Sequence, residues 1–530
     1  MKLSQLAAHS SAVQSNTVLL RAWLVITIVV IIGVFFRLVD LDWRVLTNDE
    51  TLTFLRISGY SKNDLFTQVF NGQVITLGEL QQYQRPHFDR SLLDAIRAFV
   101  GHPEHPPLYY LMARFWVQLF GSSVEGLRSL SALISLLALP CIYWLCLELF
   151  GSALVGGMAI ALVAVSPMHL FHAQSARQNS AWIVMILLSS WLLLRSIRLR
   201  TPSNWWLYAA TVAVGLYTHL FFGFTLLGHG IYVLWLESGR LSRVAIAYLR
   251  ATLIGIVVFT PWIAVIAVQW RTLPNRTARD LPVLTLVQRW AVSLNDVFFN
   301  LDDLRDAALL VNGVALMLVL LVGYSLYLLC RDTPKPVWLF IVIQIAVPLL
   351  LLIGPDLILG GQRSATGRYL IPAFLGMQLA VAYCMSVCIT TARSRMVPLY
   401  LCRSLVVLLI SGGILTELLY QGGPFKAELR QTAWIANQAD RPLLISDADA
   451  GITVLPLSYQ LNPTVQLLLV KGEMTPTIPD RFTDVLLFRP SDGLKTRLQQ
   501  HNYRLVSVKP SAVLDGKLWR VEPALQPVER

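Results

Sequence analysis

Residues 22–36 read AWLVITIVVIIGVFF, and the chain then turns polar and reaches Thr47-Asn48-Asp49-Glu50. A run of this kind enters lipid as a helix, because only a helix satisfies its own backbone hydrogen bonds there. The polar start up to Asn16, with Arg21 just before the run, imitates a secretion signal. No small-x-small cleavage site follows, and further apolar runs do, so the segment reads as an uncleaved first helix with a cytoplasmic N-terminus.

The rest of the chain repeats this message. Of its 530 residues 55% are hydrophobic and only 14% charged, and the mean hydropathy is +0.58. Soluble domains carry roughly 25% charged residues. Further spans are expected at 127–149, 154–170, 181–194, 205–222, 224–236, 245–265, 309–329, 337–353, 369–389 and 399–419. With the first, that makes about eleven transmembrane helices. The six cysteines (Cys141, Cys146, Cys330, Cys384, Cys388 and Cys402) fall inside or at the edges of these spans, with no metal-ligand spacing and no disulfide framework.

The net charge of +12 is explained by loops rather than nucleic acid, for which no aromatic-basic motif is present. Alternate loops carry Arg195, Arg198 and Arg200; Arg240, Arg243 and Arg250; Arg331 and Lys335; Arg393 and Arg395. All four sets fall on the side of the N-terminus if residues 107–120 lie at the surface instead of spanning, which is the arrangement that places basic loops inside. The basic stretch 271–279 runs against that pattern, but within a longer loop. The first loop, 40–126, is then extracytoplasmic. It holds helical patterns at 50–57 and 88–100, the second amphipathic in the manner of a helix at a membrane surface.

From residue 422 the composition changes. A helix at 425–438, strands at 442–446, 465–470 and 484–488, a helix at 492–501 and closing strands describe a small α/β domain. The expected organisation is therefore an all-α polytopic membrane domain over 1–421 and an extracytoplasmic α/β domain over 422–530.

This topology gathers unusual polar residues at one membrane face: Asp49, Glu50, His102 and His105 from the first loop, His169, His172, Gln174 and Arg177, then His219, Arg363 and Arg368. Ionisable residues so close to hydrocarbon commonly line functional cavities. A carboxylate able to take a hydroxyl proton, beside cations able to stabilise a departing phosphate, suits transfer of a sugar from a lipid phosphate.

Several segments carry a specific resemblance. Thr47-Asn48-Asp49-Glu50 resembles the first-loop acidic motif of the GT-C glycosyltransferases, in particular the protein O-mannosyltransferase and lipid A aminoarabinose transferase superfamily. His105-Pro106-Pro107-Leu108-Tyr109-Tyr110 resembles its H/K-P-P-L-x-Y signature. Gly121 with Leu127-Arg128-Ser129-Leu130-Ser131-Ala132-Leu133 resembles G-x5-L-R-x-x-S-A-L. Ser166-Pro167 with Gln174-Ser175-Ala176-Arg177 is similar to S-P…Q-E-A-R, and Arg368-Tyr369-Leu370-Ile371-Pro372 to R-Y-L-x-P. The resemblance spans roughly residues 20–390. It implies a GT-C fold and inverting transfer of a hexosyl or pentosyl unit from a polyprenyl-phosphate-sugar donor to a lipid, glycan or protein acceptor, in a multi-pass protein of the cell membrane. It makes Asp49 the catalytic carboxylate and Glu50 its acidic partner. His102, His105, Arg128, Gln174, Arg177 and Arg368 become contacts to donor phosphate or substrate. Ser175 departs from the pattern, standing where many relatives have Glu.

Plainer readings stand beside these. Asp49 and Glu50 also suit a helix start, His105 before two prolines a rigid turn, Arg128 and Arg368 interfacial anchors, and His169, His172 and His219 packing. The resemblance requires no cofactor; a divalent metal is compatible with the His and acid cluster, but no ligand spacing enforces one. Asp447-x-Asp449 follows a short strand and reads as a strand-end turn. The rival function is a transporter or flippase of a lipid-linked glycan, which would favour a midplane site and internal repeats; neither is evident.

Overall fold

The computed structural model describes residues 2–86, 90–272, 280–304, 306–390, 399–508 and 512–523. Phe88 and Asp89 of the expected 88–100 helix and the loop cations Arg276, Arg279, Arg393 and Arg395 lie outside them. Two compact units emerge. The first comprises Met1–Leu41, Pro103–Tyr109 and Arg128–Tyr420, the second Asp42–His102, Tyr110–Leu127 and Gln421–Arg530.

The first unit is the helical membrane part. Every expected span is helical, and among the described residues eight helices are long and apolar enough to cross a membrane, or nine if one bent pair counts as a single span. That pair is Ala153–Val165 and Pro167–Ala173, which meet at 62°. Pro167 has no N–H to continue the first helix but suits the first turn of the second. The spans expected at 205–222 and 224–236 are Pro202–Thr218 and Phe222–Leu236, of 17 and 15 residues. At 1.5 Å per residue the longer covers only about 25 Å. The sequence reading had no counterpart for Val283–Phe298, an amphipathic helix in the loop before the Ala308–Asp332 span.

Gly33 lets the first helix, Lys2–Leu38, touch helix Ala153–Val165 backbone to backbone, since a β-carbon there would overlap the Ala164 carbonyl. Four residues on, the buried Arg37 guanidinium donates to the carbonyls of Gly33 (2.8 Å), Val163 (2.8 Å) and Ala164. The two terminal nitrogens of a charge inside the helical unit thus meet backbone dipoles.

The second unit joins chain segments hundreds of residues apart. Its sheet has strands β1 (Val74–Thr76), β2 (Pro442–Asp447), β3 (Gln466–Val470), β4 (Asp484–Phe488), β5 (Tyr503–Ser507) and β6 (Leu518–Pro523), in the order β1-β3-β2-β4-β6-β5. β2 is parallel to both β3 and β4, and the edges are antiparallel. The strands of the tail lie within a residue of their expected positions. The edge strand β1, however, comes from the first loop: Val74 pairs with Leu468 and Thr76 with Gln466.

Strand alternation explains why the loop is needed. Leu443, Ile445, Leu468 and Leu487 point to one face, where Leu494 and Leu498 of helix Asp492–Gln500 cover them. Leu444, Leu467, Leu469 and Leu486 point to the other. They pack against Leu429 and Ala433 of helix Gly423–Asn437 and against Val45, Leu55, Leu65, Val69, Phe70 and Leu80 of the first loop. Burying each such Leu contributes roughly 1.5–3 kcal/mol, so loop and tail share one core.

Four helices of the loop begin with capping boxes, at Thr47/Glu50, Ser61/Asp64, Thr76/Glu79 and Ser91/Asp94. At each start a Ser or Thr stands three residues before the Asp or Glu, so that the two side chains cap each other's backbone amides. Hydrogen bonds from Thr76 and Ser91 hold the Glu79 and Asp94 carboxyls below the usual carboxylate range.

Candidate active site

In the helical unit the polar turn between Pro167–Ala173 and Asn179–Leu199 is the centre of the site. Gln174, Ser175, Arg177 and Gln178 are all buried there. Gln178 Nε2 lies 3.3 Å from His105 Nδ1. The Arg177 carbonyl accepts from Ser131 Oγ at 3.4 Å, and Ser131 Oγ sits 2.6 Å from the Tyr109 hydroxyl. Three motif segments far apart in the chain, at 105–109, 128–131 and 174–178, therefore meet.

A fourth segment joins through His219, which follows helix Pro202–Thr218. Its ring stacks on Trp182 with centroids 4.0 Å apart. The Phe221 amide donates to His219 Nδ1 at 3.1 Å, which leaves Nε2 to carry the proton of the neutral ring. Phe221 meets Tyr369 edge to face at 4.7 Å, beside Arg368, whose guanidinium lies over the Tyr369 ring at 5.5 Å. The charges of Arg177 and Arg368 both act on His219, and that of Arg368 also on His172. His172 Nδ1 is 3.2 Å from the Asn179 amide nitrogen, so its Nε2 is likewise the remaining donor. Guanidinium groups and imidazole N–H donors are the groups that hold a phosphate.

Other expected residues have local duties. Arg128 is buried and donates to the Leu41 carbonyl at 2.7 Å, while Gln174 Nε2 donates to the Phe36 carbonyl at 2.6 Å. Both grip the chain where it leaves the first helix. Ser175 Oγ donates to the Phe171 carbonyl one helical turn back at 2.6 Å. Arg363 pairs with Asp356 at 3.1 Å, whose other oxygen accepts from the Ser364 amide and hydroxyl. His169 binds the Gln378 side chain at 2.9 Å in the interior. Arg37 was not among the expected residues; its partners are carbonyls, which leave no sequence signature.

In the second unit Thr47 caps helix Asn48–Ile57. Thr47 Oγ1 accepts from the Glu50 amide at 3.2 Å, and Glu50 Oε2 accepts from the Thr47 amide at 3.0 Å. Glu50 is buried; Asp49, one residue earlier in the same first turn, is half-buried. His102, half-buried, lies just past helix Leu92–Val100, its amide bonded to the Phe99 carbonyl at 3.0 Å.

The sequence reading missed what steadies this turn. Asn48 Nδ2 donates to Thr453 Oγ1, which also accepts from Arg489. Arg489 grips the buried Glu428 with two hydrogen bonds, of 2.6 and 2.8 Å, and Lys517 adds a third at 2.9 Å. The neighbour of Asp49 is thus tied to a charged network built wholly from the tail. Asp447 ends β2 and accepts from the Ser491 amide and hydroxyl, as a strand-end residue; the Asp449 side chain lies outside the described residues. Among the described residues no three His, Cys, Asp or Glu side chains are grouped to hold a metal. Cys141, Cys146, Cys384 and Cys388 are buried.

Comparison with known proteins adds to this geometry. Residues 104–264, less than a third of the chain, match the family of dolichyl-phosphate-mannose-protein mannosyltransferases. The match supports the resemblance over the segments holding His105, Arg128 and Arg177; Asp49 and Arg368 lie outside it. No curated protein matches the sequence. The chain is similar to the crystal structure of ArnT from Cupriavidus metallidurans bound to undecaprenyl phosphate, at 15% identity and a TM-score of 0.49, covering 94% of this chain and 97% of that one. For the apo state of the same protein the identity is 14% and the TM-score 0.46, over 97% and 98% of the two chains.

Proposed function

We propose that this chain is a membrane glycosyltransferase that moves a hexosyl or pentosyl unit from a polyprenyl-phosphate-linked donor to a hydroxyl of a lipid, glycan or protein, with inversion, on the extracytoplasmic side. The observation that carries the reading is the meeting of the 105–109, 128–131 and 174–178 segments in the helical unit, all of it within the family match. The basic loops support a cytoplasmic N-terminus and an extracytoplasmic second unit.

In the reaction the acceptor oxygen forms a bond to the anomeric carbon as the bond from that carbon to the phosphate oxygen breaks. The electron pair leaves on the phosphate, and the acceptor proton passes to a base. Asp49 is that base, in the first turn of a helix, a place that favours a carboxylate. Glu50, holding Thr47, fixes the turn in which Asp49 stands. Arg177 and Arg368, with the N–H groups of His172 and His219, receive the charge growing on the phosphate, and His105 approaches the same group. Arg128 and Gln174 act as positioning residues by holding the exit from the first helix. His102 is a further contact to donor phosphate or substrate, by the resemblance.

Asp49→Asn in the full chain, assayed in membranes with a polyprenyl-phosphate sugar, should lower turnover about 10²- to 10⁴-fold, the range of a lost general base, at unchanged protein level. Wild-type turnover of that variant would remove Asp49 from catalysis.

A further inference from the structure

At the other end of helix Pro202–Thr218 from His219, about 25 Å along its axis, the helical unit has a second polar feature. A groove of about 720 Å³ opens between this helix and Arg243–Gln269. Arg200, Arg243 and Arg250 line it together with Trp205, Trp206 and Ile254.

The shape follows from the sequence. Gly255 brings the two helices together, since a β-carbon there would overlap Val212. Toward their N-termini the small side chains of Ala247 and Ala251 line the gap and leave it open. Arg243, Ala247, Arg250 and Ile254 recur at helical spacing, so the two arginines share one face about 10 Å apart. Both helices also begin here, after Thr201 and after Ser242, and point their positive ends toward the groove.

Three features separate this site from ordinary interfacial arginines. No carboxylate lines it, and among the described residues none of the three arginines is ion-paired. Arg198 and Arg331, on the same side of the topology, are paired with Glu148 and Asp332. The volume also lies within the roughly 300–1,000 Å³ of small-ligand sites. Finally, the groove is open to the apolar flank of Arg243–Gln269, where Leu249 and Leu253 are exposed.

We infer that this groove binds an anionic phospholipid of the leaflet at that end, the cytoplasmic one by the positive-inside bias. The phosphate sits among Arg200, Arg243 and Arg250, with the tryptophans at headgroup level and an acyl chain along Ala251 and Ile254. Basic pockets between membrane helices hold lipid phosphates in this way. The site is separate from the proposed transfer chemistry, and its test reads lipid binding alone.

The test uses the full chain in zwitterionic nanodiscs or detergent, with native mass spectrometry to count retained phosphatidylglycerol against phosphatidylcholine. Combined Arg200→Gln, Arg243→Gln and Arg250→Gln should cut phosphatidylglycerol retention about 100-fold, at about 1 kcal/mol for each of the three basic residues, and leave phosphatidylcholine unchanged. Ala251→Trp keeps every charge but fills the groove, and should give the same loss. Thermal unfolding in phosphatidylcholine checks both variants for folding, and the tryptophan variant decides the matter should the triple one not fold. Full phosphatidylglycerol retention by Ala251→Trp would leave only diffuse surface charge and overturn the site. So would displacement of the lipid by inorganic phosphate at equal concentration.

Discussion

The turn at 174–178 and the turn at 47–50 carry two halves of the same proposed chemistry, yet they are held in opposite ways. The first sits among membrane helices, and its supports, His105, Ser131 and the backbone at Phe36 and Phe171, belong to the helical unit and to segments with recognisable motifs. The second sits on a helix whose apolar face is buried by a sheet that the chain completes only after residue 421. The contrast teaches that a motif can be local in sequence while its rigidity comes from residues hundreds of positions away.

The comparison can be broken most forcefully at the shared core. Leu55 is fully buried between loop and sheet. Leu55→Ala should destabilise the second unit by about 2–5 kcal/mol and raise protease sensitivity in the first loop and the tail together. Cleavage confined to the loop would show the two to be independent. A smaller effect is expected at Arg489, where Arg489→Leu leaves buried Glu428 with Lys517 alone. Breaking a buried pair costs about 3–5 kcal/mol, and the retained lysine places this variant at the lower end. Turnover should fall with it, although Arg489 lies in the tail; unchanged turnover and unchanged proteolysis would detach the network from the Asp49 turn. The mildest probe is Thr47→Ala, which removes one cap and should cost about 1 kcal/mol, read as a lower unfolding midpoint with the maximal rate largely kept. A loss as deep as that of Asp49→Asn would instead place Thr47 in the chemistry.

Much of this was legible because it rests on local patterns. Apolar runs announce helices, and the tail strands show because Leu443–Ile445 and Leu467–Leu469 are short apolar runs between turn residues. β1 was not legible. Three residues, Val74–Thr76, carry no periodicity, and their partner β3 begins at Gln466. The Val283–Phe298 helix escaped for a different reason, since its alternation of polar and apolar residues is too mixed for a membrane span. At the site, Arg128 and Gln174 each donate to a backbone carbonyl, partners that no sequence pattern announces. Thr453, Arg489 and Glu428 had no signal at all, because ordinary polar residues in a soluble domain acquire meaning only from what they touch.

The sequence by itself determined that this chain lives in a membrane, that its tail forms an α/β layer, and which short motifs invite a glycosyltransferase reading. The first two follow from hydrophobicity and residue spacing, which act over a few turns of chain; the third rests on the resemblance of those motifs to a known family. Only the tertiary structure decided that the first loop supplies an edge strand and part of a core to the tail, and that the 105–109, 128–131 and 174–178 segments meet in the helical unit. Pairing across hundreds of residues is settled by which apolar faces and backbone groups must be covered at once, and no local pattern records that.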